Sequence, residues 1–171
     1  MTGMSLNDLS SLAEIISACT IITGLTFGIF QILAHRTDQK NAIAANLCQT
    51  FANSELSSAV NLLHQLEDGA SAEELKKGGP EFEKAAVIVS TSFETMGLLV
   101  YRRIAPVDLV MELAGGMCAS MFRKLEKSIQ DKRRELNQPS WAEWFEWLAL
   151  LAPEYKKQTT SAASKVSSWR R

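Results

Sequence analysis

"IISACTIITGLTFGIFQILA", residues 15–34, runs for twenty residues without a charged side chain. As a helix rising 1.5 Å per residue it spans roughly 30 Å, about the hydrocarbon thickness of a bilayer. Three explanations compete: a retained membrane helix, a buried or interfacial helix, and a signal sequence. A core helix of so small a protein carries a polar stripe with charges on it, and none appears before His35 and Arg36. A signal sequence opens on basic residues and ends at a small-residue cleavage site. Here no Lys or Arg precedes Arg36, and no such site precedes "HRTDQK". The stretch therefore predicts a retained transmembrane helix. Ser17, Thr20, Thr23, Thr26, Gln31 and two glycines keep its hydrophobicity moderate.

Flanking charge sets the expected orientation. His35, Arg36 and Lys40 follow the apolar run, whereas only Asp8 and Glu14 precede it. The N-terminus is expected outside and the remainder in the cytoplasm, in a single pass through an inner (cytoplasmic) membrane. Cys19, Cys48 and Cys118 are far apart and form no C-x-x-C, which fits a reduced compartment.

Within the apolar run, Ser17, Thr20, Gly24, Gly28 and Gln31 recur every three or four residues and share one helix face. "GLTFG" allows two helices to approach closely, and an amide near lipid favours a protein partner. Self-association through this face is expected, giving a homo-oligomer in the lipid bilayer. The competing explanation is that glycine is simply common in membrane helices.

The chain of 171 residues is 46% hydrophobic and 22% charged, enough to bury a core. A net charge of −1 gives no basic field for nucleic acid, and none is expected as a partner. Beyond the apolar run the pattern is helical throughout, without sustained strand alternation. Residues 36–52 continue the membrane helix as a stalk, and Asn53 or Ser54 caps the next helix, through about Glu67. Ser71 and Glu74 form a capping box for a short turn ended by "GGP". Pro80 opens a helix with Phe82, Ala86, Val89, Phe93, Met96 and Val100 on one face. "PVDLVMELA" reads as a short helix closed by Gly115 and Gly116. The next helix turns Met117, Met121, Leu125, Ile129 and Leu136 inward. Ser140 and Glu143 suggest a capping box for "WAEWFEWLALL", which Pro153 stops. The expected fold class is all-α: an N-terminal tail and transmembrane helix over residues 1–36, continuing into a cytosolic helical bundle over 37–152, and a basic mobile tail over 153–171.

"FETMGLLVYRRIAPVDLVMEL", then "KLEKSIQDKRRE", then "WFEWLA" resembles the bacterial DUF4760 family. The resemblance covers roughly residues 10–152. It rests on Phe93, Glu94, Gly97, Leu98 and Val100, on Arg133 or Arg134 near the end of a basic helix, and on Phe145–Leu148. Where the family commonly has a tryptophan early in the basic helix, this chain has Met121 and Phe122. The resemblance implies a small protein with a membrane helix and a cytosolic helical domain, and no established activity.

Glu94 and Glu146 sit among apolar neighbours, with Arg133 and Arg134 the obvious cations to meet them. The expectation is a semi-buried ion-pair network that fixes helix register, because an unpaired buried carboxylate is costly; a functional polar pocket is the alternative. The tryptophans of "WAEWFEW" are expected to pack the bundle core with one edge showing, rather than to lie at a membrane interface. The tail residues Lys156, Lys157, Lys165, Trp169, Arg170 and Arg171 could meet anionic lipid, or form a solvated terminus. No catalytic, cofactor-binding or metal site is expected. A HEPN-type RNase site needs an arginine shortly before a histidine, and neither His35 nor His64 has one. A Ser or Cys nucleophile lacks a histidine partner, and no phosphate loop is present. Two functions remain: a non-enzymatic, self-associating module that docks a cytosolic protein partner, and a membrane-perturbing or pore-forming effector, for example in phage defence.

Overall fold

The computed structural model describes residues 6–158 together with residues 164 and 166, and among these every regular element is a helix. The order is α1 (Leu6–Ala52), α2 (Ser54–Leu63), α3 (Ala72–Gly78), α4 (Pro80–Tyr101), α5 (Val107–Glu135) and α6 (Glu143–Gln158). The chain divides into two compact units, residues 1–42 and 43–171.

The first unit is the greater part of α1. Its segment Ile16–His35 has a mean hydropathy of 1.8, none of it is buried by protein, and it is long and apolar enough to cross a membrane. Ile21, Ile22, Leu25, Phe27 and Phe30 are each more than 60% exposed. The hydroxyls of Thr20, Thr23 and Thr26 donate to the carbonyls of Ile16, Cys19 and Ile22, at 2.7–2.8 Å. These polar groups are therefore satisfied within the helix and need no outside partner.

The second unit is a bundle built in the ordinary sense, apolar inside and charged outside. Ile43, Leu47 and Phe51 from the last turns of α1 join its core at a four-residue spacing. α4 touches α2, α3, α5 and α6, and its Val89 and Phe93 are fully buried. Leu63, Met121, Leu125, Phe145 and Leu148 complete the centre. Asn53 caps α2 through the Glu55 amide, and α2 ends at Leu63, short of Glu67. The Ser71–Glu74 capping box forms. The loop before α3 is tied to α5: the Ala70 amide donates to the Lys124 carbonyl, and the Ser128 amide donates back to the Ala70 carbonyl.

Three further helix boundaries differ from the sequence expectation. Gly115 and Gly116 do not close a short helix; α5 runs through them. α6 packs beside them: a Cβ on Gly115 would make ordinary contact with the Ala152 Cβ at 3.4 Å, and one on Gly116 would lie 3.0 Å from Lys156 Nζ, the end of a flexible side chain. Pro153 does not stop α6, which continues to Gln158 with Ala152 buried and Tyr155 packed on the core. Packing here outweighs the hydrogen bond that proline forfeits. Finally, α6 starts at Glu143 and not at Trp141, because Ala142 takes a left-handed conformation with φ of 57°. Ser140 is then too far upstream to cap α6. Met117 and Leu136 are 38% and 48% exposed, not core; Met121, Leu125 and Ile129 are buried as expected. Of the expected tail, Lys156 and Lys157 lie in α6, while Lys165, Trp169, Arg170 and Arg171 lie outside the described residues.

Candidate functional site

The residues around Phe93 and Phe145 gather where α6 docks on α4. Phe93 stacks on Phe145 with centroids 5.1 Å apart, and Phe122 meets Phe145 edge-on at 5.4 Å. One residue beyond Phe93, Glu94 accepts a hydrogen bond from the Phe145 amide at 2.8 Å, and the Trp144 amide also points to it. These are first-turn amides of α6, which no residue of its own turn caps. Glu94 supplies the cap from another helix, with its charge placed favourably at the positive end of the α6 dipole. One turn further on, a Cβ on Gly97 would lie 2.7 Å from the Trp144 carbonyl carbon and closer still to its oxygen. Only glycine admits the α6 backbone there. The spacing Phe93–Glu94–Gly97 is thus a dock: a ring to stack on, a carboxylate to cap and a gap to fit the chain.

The expected ion-pair network forms only in part. Arg133, 20% exposed at its side chain, donates from Nη2 to Glu146 at 2.7 Å and from Nε to the Trp141 carbonyl at 2.8 Å. It pins the turn between α5 and α6. Arg134 does not join; its mostly exposed side chain pairs with Asp131. Nor is Glu94 held by an arginine, since backbone amides satisfy it. Burial raises the Glu94 carboxyl above its ordinary range, against the lowering effect of the Phe145 and Trp144 amides. A second cap of this kind went unforeseen: Asp131 of α5 accepts from the Ala72 amide at the start of α3, a bond that lowers its pKa. Nothing in the local sequence signals a cap that arrives from a distant helix.

Beside Glu94 lies a cleft of about 360 Å³ lined by Ser90, Thr91, Gln138, Ser140, Trp141 and Ala142. The Thr91 hydroxyl donates to the Val87 carbonyl, so its proton is already engaged. Among the described residues no group of His, Cys, Asp and Glu could hold a metal ion. Cys118 is fully buried, and burial pushes its thiol pKa up.

The tryptophans meet the core expectation in part: Trp141 packs against the core, Trp144 is half-buried and Trp147 is exposed. Phe145 and Leu148 are interior, but Trp144 and Trp147 form a surface cluster with Tyr101. The ring centroids lie 4.3 Å apart for Tyr101–Trp144, 6.2 Å for Tyr101–Trp147 and 6.3 Å for Trp144–Trp147. In the first unit, Ser17, Thr20, Gly24, Gly28 and Gln31 lie along the Ile16–His35 helix, and a Cβ on Gly24 or Gly28 would meet nothing within 4 Å.

No curated protein and no solved structure matches the chain. Residues 18–151 match the family described as Domain of unknown function (DUF4760). That span includes the α4–α6 dock and most of the apolar segment of α1, and the chain belongs to the DUF4760 family.

Proposed function

We propose that the protein is a membrane-anchored helical module that self-associates and docks a cytosolic partner, with no reaction of its own. The observation that carries this reading is the segment Ile16–His35: uncharged through Ala34, long enough for a bilayer, and uncovered by protein. Such a surface is unfavourable in water by roughly 25 cal/mol per Å² and is at home in lipid. Positive flanking charge favours an inner membrane with the N-terminus outside and the bundle in the cytoplasm.

Gly24 and Gly28 leave an open strip on that helix, with no described atom within 4 Å of a Cβ on either. The threonine hydroxyls beside the strip are internally bonded, whereas Gln31 carries an amide with no bond among the described residues. A second helix packed on the strip would satisfy that amide. The absence of a reaction is supported by how the bundle's charged groups are used: Glu94 caps α6, and Arg133 holds both Glu146 and the Trp141 carbonyl.

Cross-linking of the full-length protein in membranes tests the reading. Wild type is expected to give an oligomer ladder that Gly24→Ile/Gly28→Ile loses while staying in the membrane. An unchanged ladder would remove the strip from the account. The pore reading draws on the same polar strip; dye leakage by wild type, absent in the double variant, would select it. For orientation, the exposed Cys48 is the useful thiol. A membrane-impermeant reagent is expected to reach it only after lysis, and labelling in intact cells would reverse the topology.

A further inference from the structure

We propose that the surface formed by Tyr101, Trp144 and Trp147, rimmed by Arg102 and Arg103, rests in the headgroup region of an anionic bilayer. The proposal rests on the anchored reading and adds a second lipid contact to it, made by the bundle itself.

The three rings come from two helices and already touch one another, so the surface is formed in advance. Tyr101 is 55% exposed and Trp147 36%. The segments that carry them continue into further exposed apolar side chains, with Leu98 one turn before Tyr101, Ile104 just after it and Leu150 one turn after Trp147. The Tyr101 hydroxyl and both indole N–H groups make no hydrogen bond among the described residues. Rings with an apolar body and an unspent polar tip are the chemistry of the bilayer interface, where the tip bonds a phosphate or ester oxygen.

An apolar patch alone would suit a protein partner equally well. Charge and chain length decide for lipid. Arg102 and Arg103 are both exposed, directly follow Tyr101, and make no salt bridge among the described residues. Of the nearby acids, Glu146 is held by Arg133, leaving Glu143 as the exposed carboxylate beside Trp144. Two uncommitted guanidinium groups beside an aromatic cluster complement anionic headgroups. Only residues 36–42 separate the end of the candidate span from the second unit. With the span in a bilayer, so short a connection holds the bundle at high effective concentration over the same surface.

The test uses full-length protein carrying Trp141→Phe and Trp169→Phe, so that Trp144 and Trp147 alone report. It is reconstituted in vesicles of mixed phosphatidylglycerol and phosphatidylcholine whose acyl chains are brominated near the carbonyl end. Tryptophan emission is expected to be quenched there, and much less in pure phosphatidylcholine. Arg102→Gln and Arg103→Gln are each expected to lower the ratio of docked to undocked bundle roughly fivefold. Both replace exposed side chains outside the core, and an unchanged helical circular dichroism spectrum certifies the fold. Unquenched emission in the mixed vesicles, with the protein still resisting carbonate extraction, would overturn the proposal while leaving the anchor intact. Quenching that ignores both lipid charge and the arginines would overturn it too. If the protein is recovered in soluble form, the anchored reading fails by itself. The same vesicles are then added from outside: quenching supports the surface, and its absence removes it.

Discussion

Gly24 and Gly97 are both glycines inside long helices, and a methyl group added to each would meet opposite surroundings. At Gly97 it would collide with the Trp144 carbonyl of the docked α6; at Gly24 it would meet nothing within 4 Å. The apolar residues around them follow the same division. Phe93 and Phe145 are fully buried, whereas Phe27 and Phe30 are about as exposed as side chains on an isolated helix. The bundle explains its own glycines and rings. Around the apolar segment of α1, no described residue plays that part. The bundle buries its apolar side chains away from water, whereas the segment Ile16–His35 leaves its own exposed and is long and apolar enough to cross a membrane.

The largest effect is expected at the centre of the dock. Phe145→Ala removes the ring that packs against both Phe93 and Phe122, at a cost of about 3–5 kcal/mol in urea unfolding. A loss below about 1 kcal/mol would mean that α6 is not integral to the bundle. Next is Gly97→Ala, which sets a methyl group against a backbone carbonyl that no rotamer change can move. A loss of about 1–3 kcal/mol is expected, with a change in Trp144 emission as α6 shifts. Wild-type stability in this variant would contradict the close approach of α4 and α6.

Glu94 gives a smaller and more informative effect. Glu94→Ala strips the cap from α6 and is expected to cost about 1 kcal/mol. Glu94→Gln keeps an acceptor for the Phe145 amide and should cost less. The two variants also separate in pH dependence. Burial raises the native carboxyl above its ordinary 4.5, so the native state holds this proton more tightly than the unfolded chain does. Its contribution is therefore fully present below pH 4.5 and is lost as pH rises through the raised native value. The stability of wild type relative to Glu94→Gln should fall across that rise. Asp131 runs in the opposite sense, because its pKa is lowered by the Ala72 amide: its contribution is present at neutral pH and fades on acidification. A flat difference between wild type and Glu94→Gln would contradict the burial of Glu94.

The smallest effect on the bundle is expected from Gly24→Ile/Gly28→Ile, below about 0.5 kcal/mol, since no described atom lies within 4 Å of a Cβ on either glycine. The same double change is expected to abolish the cross-linked oligomer. Destabilisation of the bundle by this variant would blur the division between the two regions.

The helical class, the starts of α2, α3 and α4, and the inward face of α4 were legible because they depend on short-range signals: Asn53, the Ser71–Glu74 box, Pro80 and the spacing of Phe82 through Val100. What was misread depends on long-range packing. Gly115, Gly116 and Pro153 are helix breakers by local rule, yet α5 and α6 continue through them, with Ala114, Cys118, Ala152 and Tyr155 packed in or on the core on either side. Glu94 was legible as a group needing a partner, but the partner is a pair of backbone amides 51 residues away, for which sequence has no symbol. Trp144 and Trp147 looked like core because aromatic residues usually are. With Phe145 and Leu148 turned inward, helical spacing puts Trp144 and Trp147 on the neighbouring faces of α6.

Membrane fractionation tests the division between lipid and water most directly. Full-length protein and a form beginning at Thr37 are expressed in parallel, washed with alkaline carbonate and assayed for helix content. The full-length chain is expected to stay with the membrane pellet, and the shortened form to be soluble and helical. Full-length protein released entirely into the soluble fraction, with the Ile16–His35 segment still attached, would contradict the central claim.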